Sequence, residues 1–365
     1  MIRRRKYNKL TESRIENKTR SVNLYTILND EIQTAAALLR AGETVAFPTE
    51  TVYGLGADAS NPLAVQKIFE IKGRPNYHPL IVHIAAASQL PAWAQSIPDA
   101  AWQLAESFWP GPLTLILQRS SQVPNEVTGG QDTVGLRVPD HPVATALLRA
   151  FGGGIAAPSA NRFGQLSPTT AQHVHDKLGS RVGMILDGGP CRIGVESTIV
   201  SLAHGKAVLL RPGGLSVEAI EDTLNKKISL VQPAASKVRA SGMLDSHYAP
   251  TTPIEIHPAD ELWHRAHQLA NLGYKVAVLN LTDNNKRVST GGITSFQMPL
   301  VAREYGHELY ATLHRIDHDS FDRLLAEAPP STQEWVAIND RLRRASQGTA
   351  NENKILVARD LPMTD

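Results

Sequence analysis

The sequence predicts an α/β protein built from two units in tandem, and three observations carry that expectation. Short β-branched or Leu-rich runs alternate with stretches whose apolar residues recur at helical spacing, first between residues 30 and 224 and again from residue 254 onward. Residues 231–253 between them are rich in Pro, Ala and Ser and read as a linker. With 365 residues, 42% hydrophobic and 20% charged, the chain is long and apolar enough to bury a core in each unit.

Taken in order, residues 1–23 are polar and basic, with Arg3 to Lys6 in a row and no apolar signal-peptide core. Glu12 and Glu16 count against an Arg-rich organellar presequence, so a disordered tail or an upstream start-codon choice is expected, with folding beginning near Val22. Ile32, Ala35, Ala36 and Leu39 mark an amphipathic helix from Asp30 to Ala41 that ends at Gly42. Val45 to Phe47 then read as a strand stopped by Pro48, which cannot donate to a ladder. It delivers a polar loop, Thr49, Glu50 and Thr51, followed by a Gly-spaced turn at Gly54 and Gly56 that permits close approach of backbone to a ligand. Those residues alone fit an ordinary strand and turn equally well.

Asn61 caps and Pro62 opens a helix with Ala64, Val65, Ile68 and Ile71 on one face, ending at Gly73. Lys72, Arg74 and His78 sit where that helix meets a Pro-stiffened loop, before a strand from Leu80 to Ile84. Cations at a helix end are commonly solvated and complement its dipole, but here they follow the polar loop, which makes an anionic ligand a candidate. Further strands are expected at Leu113 to Leu117, Val134 to Val138, Met184 to Leu186, Thr198 to Leu202 and Val208 to Leu210. Helices are expected at Pro142 to Phe151, Thr170 to Leu178 and Val217 to Leu224. The second unit shows strands at Ile254 to Ile256, Val276 to Leu279 and Trp335 to Ile338, and a helix at Ala302 to Ile316. The domain boundaries are therefore 24–230 for the first unit, 231–253 for the linker and 254–365 for the second.

Composition and motif searches exclude several classes. Thirty-seven basic against 35 acidic residues, a formal charge of +2, lack the footprint of a dedicated nucleic-acid binder. No uncharged window reaches transmembrane length, so a soluble protein without a membrane partner is expected. A single cysteine excludes an internal disulfide or a multi-Cys zinc site, and a cytoplasmic location is the simplest account. Neither GxGxxG nor a GxxxxGKS phosphate loop occurs. Cys191 has no histidine near it in a recognised pattern and reads as a bystander; His314 and His318 lack the HExxH glutamate, and His173 and His175 face different ways, so none is taken as a metal ligand. Arg137 alternates with Leu136 and Val138 on its strand; such an Arg is either a rim charge or a fork for a carboxylate. Thr169 is a candidate cap for the helix that follows.

Seven segments in order, PTETVYGLGADA, KGRPNYHPLIVHI, FWPGPLTLIL, VGLRVPDHP, APSANRFGQLSPT, DGGPCRIGVESTIV and RPGG, resemble the YrdC-like threonylcarbamoyl-AMP synthases. SGMLDSHYAP and the C-terminal region resemble the longer, two-domain Sua-type branch. The resemblance implies a YrdC-like twisted mixed sheet with a basic concave face, followed by a smaller Rossmann-like α/β domain. It implies the reaction of L-threonine, bicarbonate and ATP to threonylcarbamoyl-AMP and pyrophosphate, with Mg²⁺ accompanying ATP rather than held by a protein-only site. A downstream tRNA threonylcarbamoyl transferase complex would consume the product, and weak tRNA or RNA binding is a further expectation.

Carried over residue by residue, the resemblance implies catalytic roles for Lys72 and Arg74. ATP would meet Arg74, His78, Thr133, Ser159, Ser167, Arg211 and Tyr248, and threonine would meet Thr51, His83, Arg137, Ala157 and Ser197. Asn161 is a candidate for phosphate or metal. The resemblance further implies that the linker folds over the catalytic cleft as a lid; it departs from the family form, with Ser241 in place of Pro and no basic residue at Leu244 to Ser246, which weakens a phosphate role there. An RNA-binding module without synthase activity is the rival class, opposed by the near-neutral charge and 5% aromatic content. A carbamoyl-transfer enzyme of hydrogenase maturation would need extra CxxC pairs that one cysteine cannot supply.

Overall fold

Residues 29–230, 238–243, 247–281 and 289–357 are described here from a computed structural model; the expected tail 1–23 and residues 231–237 and 244–246 of the expected linker lie outside them. The first helix spans 29–40 and buries Ile32, Ala35, Ala36 and Leu39, the stripe read from the sequence. Ten strands form one mixed sheet: β1 (Val45–Phe47), β2 (Gly54–Asp58), β3 (Ile81–His83), β4 (Leu113–Gln118), β5 (Thr133–Arg137), β6 (Ile155–Ala156), β7 (Met184–Ile185), β8 (Thr198–Ser201), β9 (Val208–Arg211) and β10 (Ser229–Leu230). Their order is β10-β9-β8-β4-β5-β3-β6-β2-β1-β7.

Direction along the sheet decides where the chemistry falls. β3 and β5 run parallel with His83 opposite Arg137, β4 runs antiparallel to β5 and parallel to β8, and β9 runs antiparallel to β8. The carboxyl ends of β3, β5 and β9 and the amino ends of β4 and β8 therefore share one edge of the sheet. His83, Arg137 and Arg211 are the last residues of their strands, and Ser197 immediately precedes β8.

Five more strands, β11 (Ile254–His257), β12 (Val276–Asn280), β13 (Ser289–Thr290), β14 (Ile293–Gln297) and β15 (Arg323–Glu327), form a second sheet in the order β11-β15-β12-β14-β13, parallel except for β13. Helix Ala302–His318 lays Tyr305, Leu309, Tyr310, Leu313 and Ile316 into its core. Residues 238–243 of the linker are not a free spacer. Val238 and Ala240 are buried on one face of the first sheet against Ile81, Ile116, Ile199 and Leu210.

Three sequence expectations are corrected. Gly54 and Gly56 are not a turn but residues of β2, paired antiparallel to β1; a Cβ on Gly56 would lie 2.7 Å from Ile155 and 2.8 Å from the Phe47 ring, so glycine permits strand packing there. Trp335 to Ile338 is not a strand: a 3₁₀ turn, Gln333–Trp335, runs into helix Val336–Val357, and Trp335, Ile338, Leu342 and Ala345 are all buried at helical spacing. Thr170, rather than Thr169, caps helix Ala171–Leu178, its hydroxyl accepting from the His173 amide at 3.2 Å.

Candidate active site

At the shared sheet edge a cleft is lined by Thr51, Arg74, His83, Arg137, Ala157, Ser159, Ser197, Arg211 and Tyr248, together with Glu196, Ser241 and His247. Nine of the sequence-derived candidates are thus brought together, although they come from eight separate segments of chain.

Two guanidiniums converge on the linker. Arg74 Nη2 donates to Pro79 O at 3.0 Å and Ser241 Oγ at 3.3 Å, while Arg211 Nη1 donates to Ser241 O at 3.0 Å and to the Tyr248 hydroxyl at 3.4 Å. Both side chains are buried, and burial, with repulsion from Arg211, lowers the Arg74 pKa to about 10. Arg211 is further anchored by Nε and Nη2, which donate to Ser197 O at 3.1 and 2.8 Å. A cluster of this kind, backed by Gly242 and Tyr248, suits a polyanion.

On β3 and β5, Arg137 Nε donates to Gly111 O at 3.2 Å and Nη2 stands 2.6 Å from Glu50 Oε2, a charge contact rather than an aligned hydrogen bond. Both partners of that pair are nearly sealed from solvent, at 4% and 1% exposure. His83 is buried beside Arg137; burial, then the neighbouring charge, lowers its pKa to about 3, so the ring is neutral and its Nδ1 makes no hydrogen bond. Ser197 Oγ shares a 2.8 Å hydrogen bond with Thr114 Oγ1, and Thr51 Oγ1 one of 2.8 Å with Thr49 Oγ1. Hydroxyls, a neutral imidazole and a guanidinium at one end form a set suited to a small zwitterion.

The remaining candidates lie off the lining. Lys72 is buried under the loop after β6, its ammonium donating to Ser159 O at 2.6 Å and Asn161 O at 2.5 Å, and burial, then Arg74, lowers its pKa well below the usual lysine value. Asn161 turns its amide to Arg162 O and Gln165 O, both at 2.8 Å. Ser167 Oγ donates to Glu196 Oε1 at 2.6 Å. His78 packs between Tyr77 and Phe163, and Thr133 borders an adjoining hollow with Gly135, Ala240 and Ser241. Among the described residues no group of three or more His, Cys, Asp or Glu could hold a metal ion. Cys191 is buried, and burial pushes its thiol up to about 12, far from a nucleophile.

Sequence reasoning missed Glu50 as the Arg137 counter-ion, Ser241 and His247 as lining, and two residues of the second unit that reach behind the cleft. Arg341 Nε donates to Glu196 Oε2 at 2.7 Å, and the Tyr310 hydroxyl lies 3.2 Å from both Glu196 oxygens. Burial would raise the Glu196 carboxyl, but Arg341 and Arg211 outweigh it and hold the pKa below the usual value. Only Glu50, set between two threonines, carried a local signal.

Comparison with known proteins follows the same two-unit division. The profile of the Sua5, YciO and YrdC proteins, described as "Telomere recombination", matches residues 37–213, and that described as "Threonylcarbamoyl-AMP synthase, C-terminal domain" matches 215–347. The chain is 44% identical over 326 residues to the threonylcarbamoyl-AMP synthase of Bacillus subtilis, covering 87% of this chain and 93% of that one. It is 34% identical over 360 residues to that of Schizosaccharomyces pombe, covering 86% and 88%. The crystal structure of Pyrococcus abyssi Sua5 complexed with L-threonine is similar throughout, with a TM-score of 0.79, 40% identity and coverage of 88% and 95%.

Proposed function

The chain belongs to the two-domain, Sua5-type branch of the threonylcarbamoyl-AMP synthase family, and from that premise we propose that its cleft converts L-threonine, bicarbonate and MgATP into threonylcarbamoyl-AMP and pyrophosphate. The observation that supports this reading best is the meeting, at one sheet edge, of a two-arginine cluster with a separate Arg137, His83 and Ser197 group.

The chemistry asks for positioning more than for a covalent catalyst. The threonine amine takes up carbon dioxide equivalents from bicarbonate, losing water, to give a carbamate. A carbamate oxygen then attacks the α-phosphorus, and the bond to the β-phosphate oxygen breaks to release pyrophosphate. Arg74 and Arg211 offset negative charge on the triphosphate as it develops on the leaving group, and Tyr248 lies against the nucleotide end. Thr51, His83, Arg137 and Ser197 hold the amino acid, with the Ala157 backbone beside them. A neutral His83 can accept from or donate to threonine without adding a charge. Both carboxylates near the cleft, Glu50 and Glu196, are paired with arginine, so Mg²⁺ enters as part of the nucleotide substrate, held by phosphate oxygens and water.

Three finer readings go with this one. The mixed anhydride is passed to a separate transferase complex acting on tRNA, any affinity of the basic cleft edge for tRNA is weak, and the enzyme works in the cytoplasm, where its single buried thiol stays reduced. No helix among the described residues is long and apolar enough to cross a membrane. The test is product analysis: pyrophosphate release should require threonine and bicarbonate together and should be matched by threonylcarbamoyl-AMP. Equal release with either omitted would mean a plain ATPase.

A further inference from the structure

We propose that Arg341, which lies in the C-terminal domain and outside the cleft, is a positioning residue for the reaction, tying three separate site segments into one arrangement. The inference rests on the function proposed above and gives the second domain a part in it.

Arg341 stands near the start of helix Val336–Val357, between the buried positions Ile338 and Leu342, and is itself 1% exposed. Burial strips a guanidinium of its hydration, so the partners its donors do find show what it holds. Nη2 makes no hydrogen bond, and apart from Asp340 the contacts of the rest fall on a neighbour of a cleft residue or on one directly. Nε donates to Glu196, the residue before Ser197; Nη1 donates to Pro212 O at 3.0 Å, the residue after Arg211. The guanidinium carbon lies 5.0 Å over the Tyr248 ring. Asp340 Oδ2 accepts a further bond from Nη1 at 2.8 Å and sets the fork's orientation.

The three targets are also joined on their cleft side. Arg211 donates twice to Ser197 O and once to the Tyr248 hydroxyl. A closed circuit results, Arg341 to Glu196 and Ser197, to Arg211, to Tyr248 and back, with Arg341 its only member from the second domain. Glu196 also accepts from Ser167 and Tyr310, so it cannot follow Arg341 elsewhere without breaking those two contacts. If the seam served only to hold two domains together, apolar contacts would do so without burying a charge pair. An ion pair with a planar fork fixes direction as well as distance, which is what Ser197 and Arg211 need.

The experiment compares full-length Arg341→Lys, Arg341→Met, Glu196→Gln and the Glu196→Gln/Arg341→Met double variant with the wild type. His307→Ala serves as the control, since His307 contacts Arg192 O at the same seam but is half-buried and does not line the cleft. Thermal melting, calorimetric titration with MgATP and with L-threonine, and kcat and KM for both substrates are measured. Displacement of a reacting group by about 1 Å can cost on the order of 100-fold. Arg341→Lys is expected to melt near the wild type yet lose roughly 10- to 100-fold in kcat/KM. Arg341→Met should lose more, and the double variant no more than its worse parent, while His307→Ala keeps wild-type constants.

Folded Arg341→Lys and Arg341→Met proteins with unchanged binding and kinetics would overturn the proposal. So would losses that follow melting temperature across every variant and vanish on cooling. A wild type that makes no threonylcarbamoyl-AMP would instead sink the proposed function, while MgATP titration of the variants still tests Arg341.

Discussion

Replacing Arg137 by lysine keeps the charge and removes the fork, which separates the two tasks this side chain performs. In the structure its Nε is committed to Gly111 O and its Nη2 to Glu50, while the residue still lines the cleft. A single ammonium must choose between Glu50 and an incoming carboxylate. The loss for threonine is one charge-assisted hydrogen bond, about 1.5–3 kcal/mol, which corresponds to roughly 10- to 150-fold in Kd. Stability should change less, because the buried carboxylate keeps a cation and only the Gly111 contact goes, about 0.5–1.5 kcal/mol. Arg137→Ala differs in kind: it strands Glu50 at 1% exposure, at a cost of about 3–5 kcal/mol. Calorimetric titration of Arg137→Lys with L-threonine and, separately, with MgATP reads the first effect, and thermal melting reads the second. A folded Arg137→Lys that binds threonine as the wild type does would remove Arg137 from the amino-acid site.

Arg74→Ala should weaken MgATP binding by roughly tenfold or more, since a charged donor set is lost, with a smaller change for threonine; unchanged MgATP affinity would leave Arg74 as a brace for Ser241. Gly242→Ala should also weaken MgATP binding and lower the melting temperature, because a Cβ there would lie 2.1 Å from the Tyr248 hydroxyl and 2.9 Å from Arg211 Nη1, at a φ of +78°; normal MgATP affinity in the folded variant would show that the linker can move aside freely. Acid should destabilise the fold. His83 and His314 are buried with pKa values lowered to about 3 by burial, against about 6.5 unfolded, so the unfolded chain binds more protons between those values. Their contribution is complete above pH ~6.5 and is lost as pH falls toward 3, each at up to about 1.4 kcal/mol per pH unit. Melting scans from pH 7 down to 5 should show falling midpoints, and a flat profile would contradict this account.

What was legible in the sequence was local. The cap at Asn61, the stop at Gly73 and the apolar stripe between them can be read from spacing because a helix repeats its own geometry, and Asn61 does accept from the Leu63 and Ala64 amides. The strand that carries Arg137 and the one that leads into Arg211 were legible from their apolar runs, and alternation with Leu136 and Val138 set Arg137 on the opposite face from those neighbours. Pairing between strands was not legible, so β2 passed for a turn: its glycines mark close packing against Phe47 and Ile155, partners that no local pattern reveals. Lys72 shows a further limit. Its place beside Arg74 suggested a phosphate contact, yet the fold brings the carbonyls of Ser159 and Asn161 over its ammonium. Arg341 and Tyr310 were beyond reach for the same reason, since an Arg and a Tyr on amphipathic helices carry no sign that a glutamate in another domain will meet them.

The linker joins these observations. A segment that only connects two domains needs length and solubility, and its backbone groups can be left to water. Residues 238–243 and 247–252 are instead bonded to both sides. Ser241 Oγ donates to Pro79 O at 3.0 Å, Ala249 N donates to Gly164 O at 2.9 Å, and the Thr251 and Thr252 amides donate to Asp317 of the second domain at 2.9 Å. Tyr248 holds a positive φ of 61°, unusual for a bulky residue, with its ring buried between Arg341 and Tyr310 and its hydroxyl on Arg211. Strain at one residue persists only where its surroundings determine it from several directions. The surroundings here include one arginine that the proposed reaction uses, Arg211, and one that it does not touch, Arg341, while Arg74 holds the same linker at Ser241, so the conformation of the linker and the aim of the cationic cluster are set by connected contacts. In the proposed reaction a cleft assembled in this way would shield a carbamate and a mixed anhydride from water, with the linker tied to the second domain through Asp317 and Arg341.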